Sequence, residues 1–422
     1  MKKMSLVALV LVVLMLFAAC APAPAASSEP AASSEPSQSA AAEPSEEPSS
    51  AAPSESAAAG ASDNPNAADF EYVEADYIKD GVFDINSYYN PLGVECNVTI
   101  REDGGVVRVK DEMTTEIPKA KEKFKIGFSV YYTIDEVGAM ILDTMKKAAE
   151  TAGVELLVND ANYEQSAQDQ AIEQWIEQGV DGVILAPCDF AGVKGSLDAL
   201  EKAGIPVVSM NPPLAGNVDS VIMIDCIEEG QMAAQALIDA LKADGKEIKG
   251  KVVYQSLPFV HPNAATRTKG FKDSFAEYPD VEFIELTGTS PEEHYTAFEG
   301  ALLANPDMIG AWGLYSAATV GMINAKKAAK SDVLLTSIDN DKPILAGIKD
   351  GSVLGSACYS GITSANWCMI QMVNILNGVE DIPAAIFYEN QFVDASNVDA
   401  MFDHYYPAST VTLDEYMSGK TE

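Results

Sequence analysis

The sequence predicts an α/β protein with two similar lobes, each a parallel β-sheet flanked by helices. From Lys125 onward, short apolar runs alternate with stretches of helical periodicity at the spacing of βαβ units, about 30 residues. The alternation reaches Met210 and starts again at Lys251, so two such sets follow one another along the chain. Ligands of open α/β sheets bind beyond the carboxyl ends of the strands, and two facing lobes therefore predict a binding cleft.

Helices of the first set end at glycines, which favour the left-handed conformation of a C-cap. These glycines are Gly153, Gly179 and Gly204. The predicted strands of this set are 126–130, 154–158, 183–186 and 205–210. Helical periodicity covers 137–152 and about 165–178, and a further helix ends before Gly204.

The second set repeats the same rhythm. Its predicted strands are 251–255, 281–286, 309–313 and 333–338. Helices are predicted near 264–277, 293–304 and 317–329. The repetition predicts two Rossmann-like lobes of similar construction.

The first 19 residues have the features of an export signal. Two lysines precede an apolar run from Leu6 to Phe17, and small residues follow at the predicted cut. The run is short for a membrane span, which needs about 20 apolar residues. Cys20 follows directly, which resembles the lipobox of bacterial lipoproteins, with Phe17 where that family most often has Leu. The resemblance implies lipid attachment at Cys20 and anchoring to the cell membrane outside the cytoplasm. A secreted protein with a chance cysteine and a single membrane span are the alternatives.

Two segments separate this signal from the lobes. Residues 20–66 begin with the lipidated cysteine and continue as a linker of Ala, Ser, Pro and Glu, which is expected to be disordered. Residues 67–119 are expected to form a small N-terminal extension of unknown purpose. Within it, the alternating runs 98–100 and 106–109 flank Asp103-Gly104-Gly105, which predicts a hairpin.

Composition argues against several kinds of partner. The precursor has 63 acidic and 27 basic residues, a net charge of −36. Removal of the signal takes Lys2 and Lys3, which leaves 25 basic residues and a net charge of −38. A surface this acidic repels nucleic acid, whose binding requires Lys and Arg at the phosphates. The charge keeps an exported protein soluble and away from the anionic membrane surface.

Cysteine and histidine usage predicts neither a metal site nor a cofactor. The five cysteines beyond Cys20 include no Cys-x-x-Cys pair, and the three histidines are far apart in sequence. Most of these cysteines are expected to be buried as small apolar residues, with one disulfide as an open alternative.

Four elements between Lys125 and Asn397 are similar to the ribose-type periplasmic binding proteins. These are residues 169–189, 203–211, 267–271, and 337–339 with the later turn 348–351. They occur in the order and spacing of that family. The resemblance implies a type I solute-binding lipoprotein that captures a small polar ligand, a sugar or sugar-like compound. It also implies delivery of that ligand to an ABC permease in the membrane, and we expect a monomer.

The same resemblance implies a hinge with three crossings between the lobes. Lobe 1 would consist of 120–224 plus 361–387, and lobe 2 of 225–360 plus 388–400, with a C-terminal tail over 401–422. Ligand contacts to both lobes would stabilise the closed arrangement over the open one.

The candidate ligand-binding residues follow from the family's use of strand carboxyl ends. They are Tyr131, Tyr132, Asp135, Asn211, Arg267, Tyr315, Ser316, Asp339 and Tyr359. Aromatic rings can stack on the apolar faces of a sugar, and planar polar groups can bond its hydroxyls. Each hydroxyl left unmatched in a closed cleft costs binding free energy, which gives specificity.

Several of these residues have alternatives. Asp135 could instead be the N-terminal acid of the next helix, and Arg267 could form a surface salt bridge. Asn211-Pro212 stands where relatives of the ribose type carry Asp-Arg, which argues against simple ribose recognition. Neither Asp339 nor Arg267 belongs to the apolar core pattern, so their substitution is expected to spare folding. Trp175 and Trp312 are expected in the core.

Three other functions are considered. An enzyme is not expected, because the sequence has no nucleophile elbow, P-loop or dinucleotide fingerprint at a strand-to-helix junction. A sugar-responsive repressor would need a basic helix-turn-helix ahead of Lys125, where the chain has an acidic linker instead. Presentation of the ligand to a membrane sensor or chemoreceptor stays open. A neighbouring permease and ATPase gene would favour import, and a neighbouring histidine kinase gene would favour sensing.

Overall fold

Two largely parallel β-sheets organise the part of the chain that the structure describes. The structure is a computed structural model that describes residues 63–72, 78–79, 82–101, 105–111, 116–133, 136–245, 247–258 and 261–421. These residues belong to one compact unit. The signal segment, Cys20, the linker as far as residue 62 and the candidate Asp135 lie outside the described residues.

The elements alternate along most of the chain. The described strands are β1 (Glu71–Tyr72), β2 (Ile78–Lys79), β3 (Val82–Phe83), β4 (Asn97–Ile100), β5 (Val106–Val109), β6 (Lys125–Val130), β7 (Glu155–Asp160), β8 (Gly182–Leu185), β9 (Val207–Met210), β10 (Ala215–Val218), β11 (Ser220–Ile224), β12 (Gly250–Ser256), β13 (Val281–Thr287), β14 (Met308–Gly313), β15 (Leu334–Ile338), β16 (Gly355–Cys358), β17 (Ala385–Tyr388) and β18 (Gln391–Asp394). The described α-helices are α1 (Ile85–Tyr89), α2 (Glu136–Ala152), α3 (Gln165–Glu177), α4 (Lys194–Ala203), α5 (Cys226–Ala243), α6 (Pro262–Asp273), α7 (Pro291–Ala304), α8 (Ser316–Ala329), α9 (Lys342–Lys349), α10 (Gly361–Leu376), α11 (Val398–Tyr405) and α12 (Leu413–Met417). Short 3₁₀ turns occur at Ala67–Asp69 and Asn90–Leu92.

The two sheets define two lobes. The first sheet has the order β1-β5-β17-β11-β9-β8-β6-β7, with only the β1–β5 pair antiparallel. The second has the order β13-β12-β14-β15-β16-β18, with only the β16–β18 pair antiparallel. Every strand predicted between residues 126 and 338 has its counterpart in these sheets. The predicted α/β fold with two parallel-sheet lobes is confirmed.

Both faces of each sheet are covered by apolar side chains, as buried parallel strands require. In β8, successive side chains pack on opposite faces of the sheet. Ile184 packs with α2 and α10 residues on one face, while Val183 and Leu185 pack with α3 and α4 residues on the other. The second sheet is covered in the same way by two separate clusters. The sheets therefore act as rigid platforms, and the loops beyond their strands are free to carry binding groups.

In the described part of the chain, three crossings join the lobes, and polar contacts connect two of them. At the β11–α5 crossing, Asp225 caps α5 by accepting a hydrogen bond from the Glu228 amide at 3.1 Å. At the β17–β18 crossing, Asn390 Nδ2 donates to the Asp225 carbonyl at 2.9 Å and to Glu228 Oε2 at 3.0 Å. Arg108 also bridges Asp225 and Glu228, at 3.0 and 2.9 Å. Burial raises the pKa of the Asp225 carboxyl, and Arg108 opposes that shift.

The N-terminal extension differs from the predicted hairpin. The runs 98–100 and 106–109 are strands, but they do not pair with each other. β4 pairs with β10, and β5 lies in the first sheet between β1 and β17. Apolar residues from Phe83 to Ile100 also pack onto one face of the first sheet. Pairing within the lobe buries more apolar surface than a local hairpin would, and this decides the partners.

The extension also reaches the second lobe. Buried Asp111 accepts a hydrogen bond from Thr363 of α10 in the first lobe. Its other oxygen lies 2.9 Å from Nε2 of His404 in α11. Asp111 thus joins helices that pack on different lobes.

The residues after 400 are folded onto the second lobe and do not form a separate tail. Phe402 and Tyr405 of α11 and Leu413 of α12 are buried in a core cluster of this lobe. Burial of these apolar side chains anchors the segment to the second lobe. Among the described helices, none has the length and apolar character needed to cross a membrane.

Candidate ligand-binding site

A cavity of about 410 Å³ lies between the lobes at the carboxyl ends of their strands. Its described lining from the first lobe is Tyr131, Tyr132, Val137 and Tyr163. Its described lining from the second lobe is Thr289, Pro291, Tyr315, Ser316, Ala317, Val320, Asp339, Asn340, Asp341 and Tyr359. The structure therefore brings six of the predicted site residues together: Tyr131, Tyr132, Tyr315, Ser316, Asp339 and Tyr359.

The first lobe contributes a group of three tyrosine rings. Tyr131 and Tyr132 follow β6, and Tyr163 follows β7 beside it. The Tyr132 and Tyr163 rings are stacked with centroids 4.4 Å apart, and Tyr131 lies 5.0 Å from Tyr132 and 6.0 Å from Tyr163. Tyr163 is 62% exposed. An aromatic surface of this kind can accept the apolar face of a flat ligand.

Backbone geometry holds Tyr163 in this position. Its φ is +61° and that of the preceding Asn162 is +48°, both in the left-handed region that a bulky residue rarely adopts. The Tyr163 amide donates to the Tyr131 carbonyl at 2.7 Å, which ties the two loops together. Strain of this kind is typical of functional loops.

Asp339 is fixed at the end of β15 in a similarly unusual conformation. Its φ is +74°, its amide donates to the Ala357 carbonyl at 2.9 Å, and its own carbonyl accepts from Ser356 Oγ at 2.6 Å. Its Oδ2 accepts from the Ser316 amide at 2.7 Å, at the start of α8. The carboxylate is therefore oriented before any ligand arrives, which reduces the entropy cost of binding.

Arg267 lies behind Asp339 and is not among the described lining residues. Its Nε donates to Glu229 Oε2 at 2.7 Å, its Nη1 to the Leu314 carbonyl at 3.3 Å, and its Nη2 lies 3.6 Å from Asp339 Oδ1. It is not the alternative surface salt bridge, because it is 7% exposed and Glu229 is 0% exposed. Burial raises the pKa of Glu229 to about 7 despite the guanidinium beside it.

Tyr315 presents its ring to the cavity because its hydroxyl has other partners. The Oη lies 2.6 Å from His294 Nε2 and donates to the Gly288 carbonyl at 3.1 Å. Burial raises the pKa of Tyr315 to about 12 and lowers that of His294, so both are neutral near pH 7. Tyr359 is held through its carbonyl, which accepts from Asn340 Nδ2 at 2.8 Å.

Asn211 is not among the described residues that line the cavity. It follows β9 with a φ of +66°, and its amide donates to the Ile222 carbonyl at 2.9 Å. Asparagine tolerates this left-handed conformation better than most residues, which explains the residue type at this turn. The core assignments of Trp175 and Trp312 agree with their burial, and Trp312 stacks on Phe271 with centroids 4.2 Å apart.

Sequence reasoning missed several lining residues. A sequence feature could have indicated some of them but not others. Tyr163 could have been found, since it follows a predicted strand as Tyr131 and Tyr132 do. Asp341 and Asn340 directly follow the predicted Asp339. Thr289 lies in the loop before α7, and Pro291 is the first residue of that helix. The sequence of this stretch has only turn-forming features, and nothing in it points to binding.

The lobes also touch beside the cavity. The ring of Phe190, in the loop after β8, meets the ring of His261 at the start of α6 edge-on, with centroids 5.1 Å apart. Burial lowers the pKa of His261 to about 4, so this ring is neutral near pH 7. The contact is apolar and lies between loops of opposite lobes.

A second cavity, of about 700 Å³, lies elsewhere and has a different character. Its described lining comes from the N-terminal segment, with Trp367 of α10 and Glu389. Trp367 itself is buried and packs against Phe70 at 5.8 Å between ring centroids. No strand of the second sheet contributes to its described lining.

The described cysteines are free thiols. Cys96, Cys226, Cys358 and Cys368 are buried, and Cys188 is partly buried. Burial raises the pKa of Cys96 and Cys188 to about 11, so neither is a reactive thiolate.

Comparison with known proteins identifies relatives that match more than half of this chain. A ribose import binding protein of Bacillus subtilis is 26% identical over 237 residues, which cover 54% of this chain and 74% of that protein. A xylitol-binding protein of Mycolicibacterium smegmatis is 25% identical over 291 residues, 66% of this chain and 80% of that protein. These relatives are binding proteins and not enzymes.

A solved structure has the same fold. It is an ABC transporter periplasmic solute-binding protein from Actinobacillus succinogenes with bound D-allose. It matches with a TM-score of 0.60 and 20% identity, over 66% of this chain and 100% of that one. Residues 126–380 also match the periplasmic binding protein domain. The resemblance seen in the sequence is confirmed, and the chain belongs to the periplasmic binding protein domain family.

Proposed function

We propose that this protein captures a small polyhydroxylated ligand, a sugar or sugar-like compound, and delivers it to an ABC import permease. The observation that carries this proposal is the cavity between the lobes, with tyrosine rings on one side and carboxylate and hydroxyl groups on the other. Its volume of about 410 Å³ suits a small ligand. Relatives that bind ribose and xylitol, and a structural neighbour with bound D-allose, support the ligand class.

The lining residues have distinct proposed roles. Tyr131, Tyr132 and Tyr163 stack on the apolar face of the ligand ring. Asp339 accepts hydrogen bonds from adjacent hydroxyls, and the side chains of Ser316 and Tyr359 complete the polar contacts. Arg267 and Glu229 act from behind, because they fix Asp339 and do not touch the ligand.

Binding is coupled to closure of the lobes. The ligand touches residues of both lobes only in the closed arrangement, so its contacts stabilise that arrangement over the open one. The Phe190–His261 contact adds apolar surface to the closed state. Asp225, Glu228 and Asn390 form hydrogen bonds between two of the chain crossings. The lobes would rotate about these crossings when they close.

The mature protein is proposed to act outside the cytoplasm as a monomer anchored through lipid on Cys20. It performs no chemistry on its ligand. Replacement of Cys20 by Ala tests the anchor: incorporation of labelled palmitate should be lost, and undiminished incorporation would overturn the assignment.

A thermal-shift screen of the mature protein tests the ligand class. The panel should contain pentoses, hexoses, sugar alcohols and nucleosides, because a ligand that binds only the folded state raises the melting temperature. A rise with one or more sugars or sugar alcohols is expected, followed by calorimetric titration. A panel in which only nucleosides raise the melting temperature would reject the sugar assignment.

A further inference from the structure

Asp111, in the N-terminal extension, forms hydrogen bonds with both lobes through one buried carboxylate. Thr363 Oγ1 of α10 donates to its Oδ1, and His404 Nε2 of α11 lies 2.9 Å from its Oδ2. A carboxylate oxygen only accepts hydrogen bonds, so Nε2 of His404 carries the donated proton. The Asp111 side chain is 0% exposed and that of His404 is 24% exposed. Salt and solvent therefore screen this contact little.

The two partners of Asp111 pack on different lobes. Asp111 itself follows β5, which pairs with β17 in the first sheet. Helix α10, which carries Thr363, belongs to the same lobe, because its apolar residues share a cluster with those of β6 and β8. Helix α11, which carries His404, places Phe402 and Tyr405 in a cluster with strands of the second sheet. The hydrogen bond between Asp111 and His404 therefore runs from one lobe to the other.

Both ends of this hydrogen bond lie outside the region that matches the periplasmic binding protein domain. The match covers residues 126–380, whereas Asp111 precedes it and His404 follows it. The N-terminal extension and the C-terminal segment thus meet between the lobes, in addition to the three crossings described above. Their meeting point indicates that both segments take part in setting the arrangement of the lobes.

We propose that the N-terminal extension holds the two lobes in the closed arrangement before a ligand binds, through the hydrogen bond between Asp111 and His404. An opening rotation that moves their two atoms apart by about 0.7 Å brings the distance to about 3.6 Å, at which no hydrogen bond remains. Asp111 would then keep Thr363 as its partner but lose the one on the second lobe, and a buried carboxylate that loses a partner is costly. The closed arrangement is favoured by that difference.

The same C-terminal segment reaches the ligand cavity. Tyr406, directly after α11, donates from its hydroxyl to the Asn340 carbonyl at 3.1 Å, and Asn340 lines the cavity. A ligand that requires the closed arrangement binds with an affinity reduced in proportion to the fraction of molecules that are closed. By raising this fraction, the extension increases affinity without contacting the ligand, whatever the identity of that ligand.

Small-angle X-ray scattering of the mature protein, dialysed free of ligand, tests the proposal, because opening of the lobes raises the radius of gyration. His404→Ala removes the donor on the second lobe, and its radius of gyration should exceed that of the wild type by roughly 5%, about 1 Å for a compact chain of this length. His404→Gln keeps an amide that can donate to Asp111 and should restore the wild-type value. The matched control is Asp399→Ala on the same helix, which breaks an exposed pair with Lys349 within the second lobe and should leave the radius unchanged.

Thr363→Val is an independent variant at the first-lobe end of the connection. It removes the hydroxyl that holds Asp111 while nearly keeping the side-chain volume, and the radius of gyration should again rise. Denaturant unfolding shows which variants are folded, and if His404→Ala does not fold, the comparison of Thr363→Val with the wild type decides. A purely structural role would lower the stability of the folded variants but leave their radius at the wild-type value, and that result would overturn the proposal.

Discussion

The two lobes meet the same cavity with different physical means. The first lobe offers three tyrosine rings on loops, with Tyr163 largely exposed. The second offers Asp339, held by backbone hydrogen bonds and supported by the buried Arg267 and Glu229. Stacking tolerates many ligands of similar shape, whereas a fixed carboxylate requires a donor at one place. From this difference we propose that the second lobe selects the ligand and the first lobe contributes affinity.

The largest effect is expected from removing the guanidinium of the second lobe. Arg267→Ala would leave Glu229 and Asp339 without their shared counter-charge in a buried site, which should lower the free energy of unfolding by about 3–5 kcal/mol. Denaturant unfolding of the ligand-free protein measures this loss. Lys327→Ala, which breaks an exposed pair with Asp350, is the control and should cost less than about 1 kcal/mol. If the two variants unfold alike, Arg267 has no supporting role, and the sequence-based expectation that its loss spares folding would stand.

A pH-dependent effect is expected next, from Glu229. Its pKa is about 7 in the folded protein, above the ordinary value of 4.5, so the folded state binds this proton more tightly than the unfolded state. The contribution of Glu229 to the free energy of unfolding is therefore fully present below pH 4.5 and is lost as the pH rises through 7. The charged groups facing it are Arg267 and Asp339, and the neutral thiol of Cys226 forms a hydrogen bond with it.

Comparison of the wild type with Glu229→Gln isolates this effect, since other titrating groups cancel in the difference. Relative to the wild type, the variant should gain stability between pH 5 and pH 8, by up to about 3 kcal/mol at 1.4 kcal/mol per pKa unit. Denaturant unfolding at four pH values measures it. A stability difference that stays flat with pH would mean that Glu229 remains ionised throughout.

Loss of the selecting carboxylate should weaken binding without unfolding the protein. Asp339→Asn keeps a residue that tolerates the positive φ, so the loop should hold its shape. Affinity for the ligand found in the screen should fall at least tenfold, equivalent to about 1.4 kcal/mol. Calorimetric titration checks this, and wild-type affinity in the variant would show that the second lobe does not select the ligand.

A smaller loss of ligand affinity is expected when a tyrosine ring of the first lobe is removed. Tyr163→Ala removes one stacked ring and should weaken binding by about 0.5–1.5 kcal/mol, roughly two- to tenfold. Tyr295→Ala is a matched control, because this tyrosine lies on α7, bonds Glu299 and is not a described lining residue. A loss for Tyr163→Ala greater than for Asp339→Asn would reverse the proposed division between the lobes.

The smallest effect concerns Asn211. Asn211→Gly removes the side chain while keeping a residue that accepts a φ of +66°, so neither folding nor binding should change measurably. Calorimetric titration of the variant with the ligand found in the screen measures its affinity. A clear loss of affinity would restore Asn211 as a ligand contact from the first lobe.

The regular part of the fold was predictable because its signals are local. Strand β6 was predicted as 126–130 and is Lys125–Val130, and helix α3 was predicted near 165–178 and is Gln165–Glu177. Apolar periodicity and a terminal glycine determine such elements within a short stretch of chain. The partners of β4 and β5 were not predictable in this way, because pairing depends on surface supplied by distant strands.

The site was predictable where family motifs follow strand ends, and less so where burial decides the role. Tyr131, Tyr132 and Asp339 were placed at the cavity by that reasoning. The buried ion pair of Arg267 was not predicted, because the sequence around it gives no sign of Glu229, which lies 38 positions earlier and is fully buried. Asn211 followed a strand end as the others did, but its backbone conformation accounts for it.

The position of β5 in the first sheet has a consequence for how this domain could be excised. The family match begins at residue 126, after β5, which pairs along the whole length of β17 from Val106 beside Ala385 to Val109 beside Tyr388. A fragment started there would leave one edge of β17 with unpaired amide and carbonyl groups, and such an edge recruits strands of other molecules. The fragment should therefore aggregate, whereas one that starts at Asp63 keeps the edge covered.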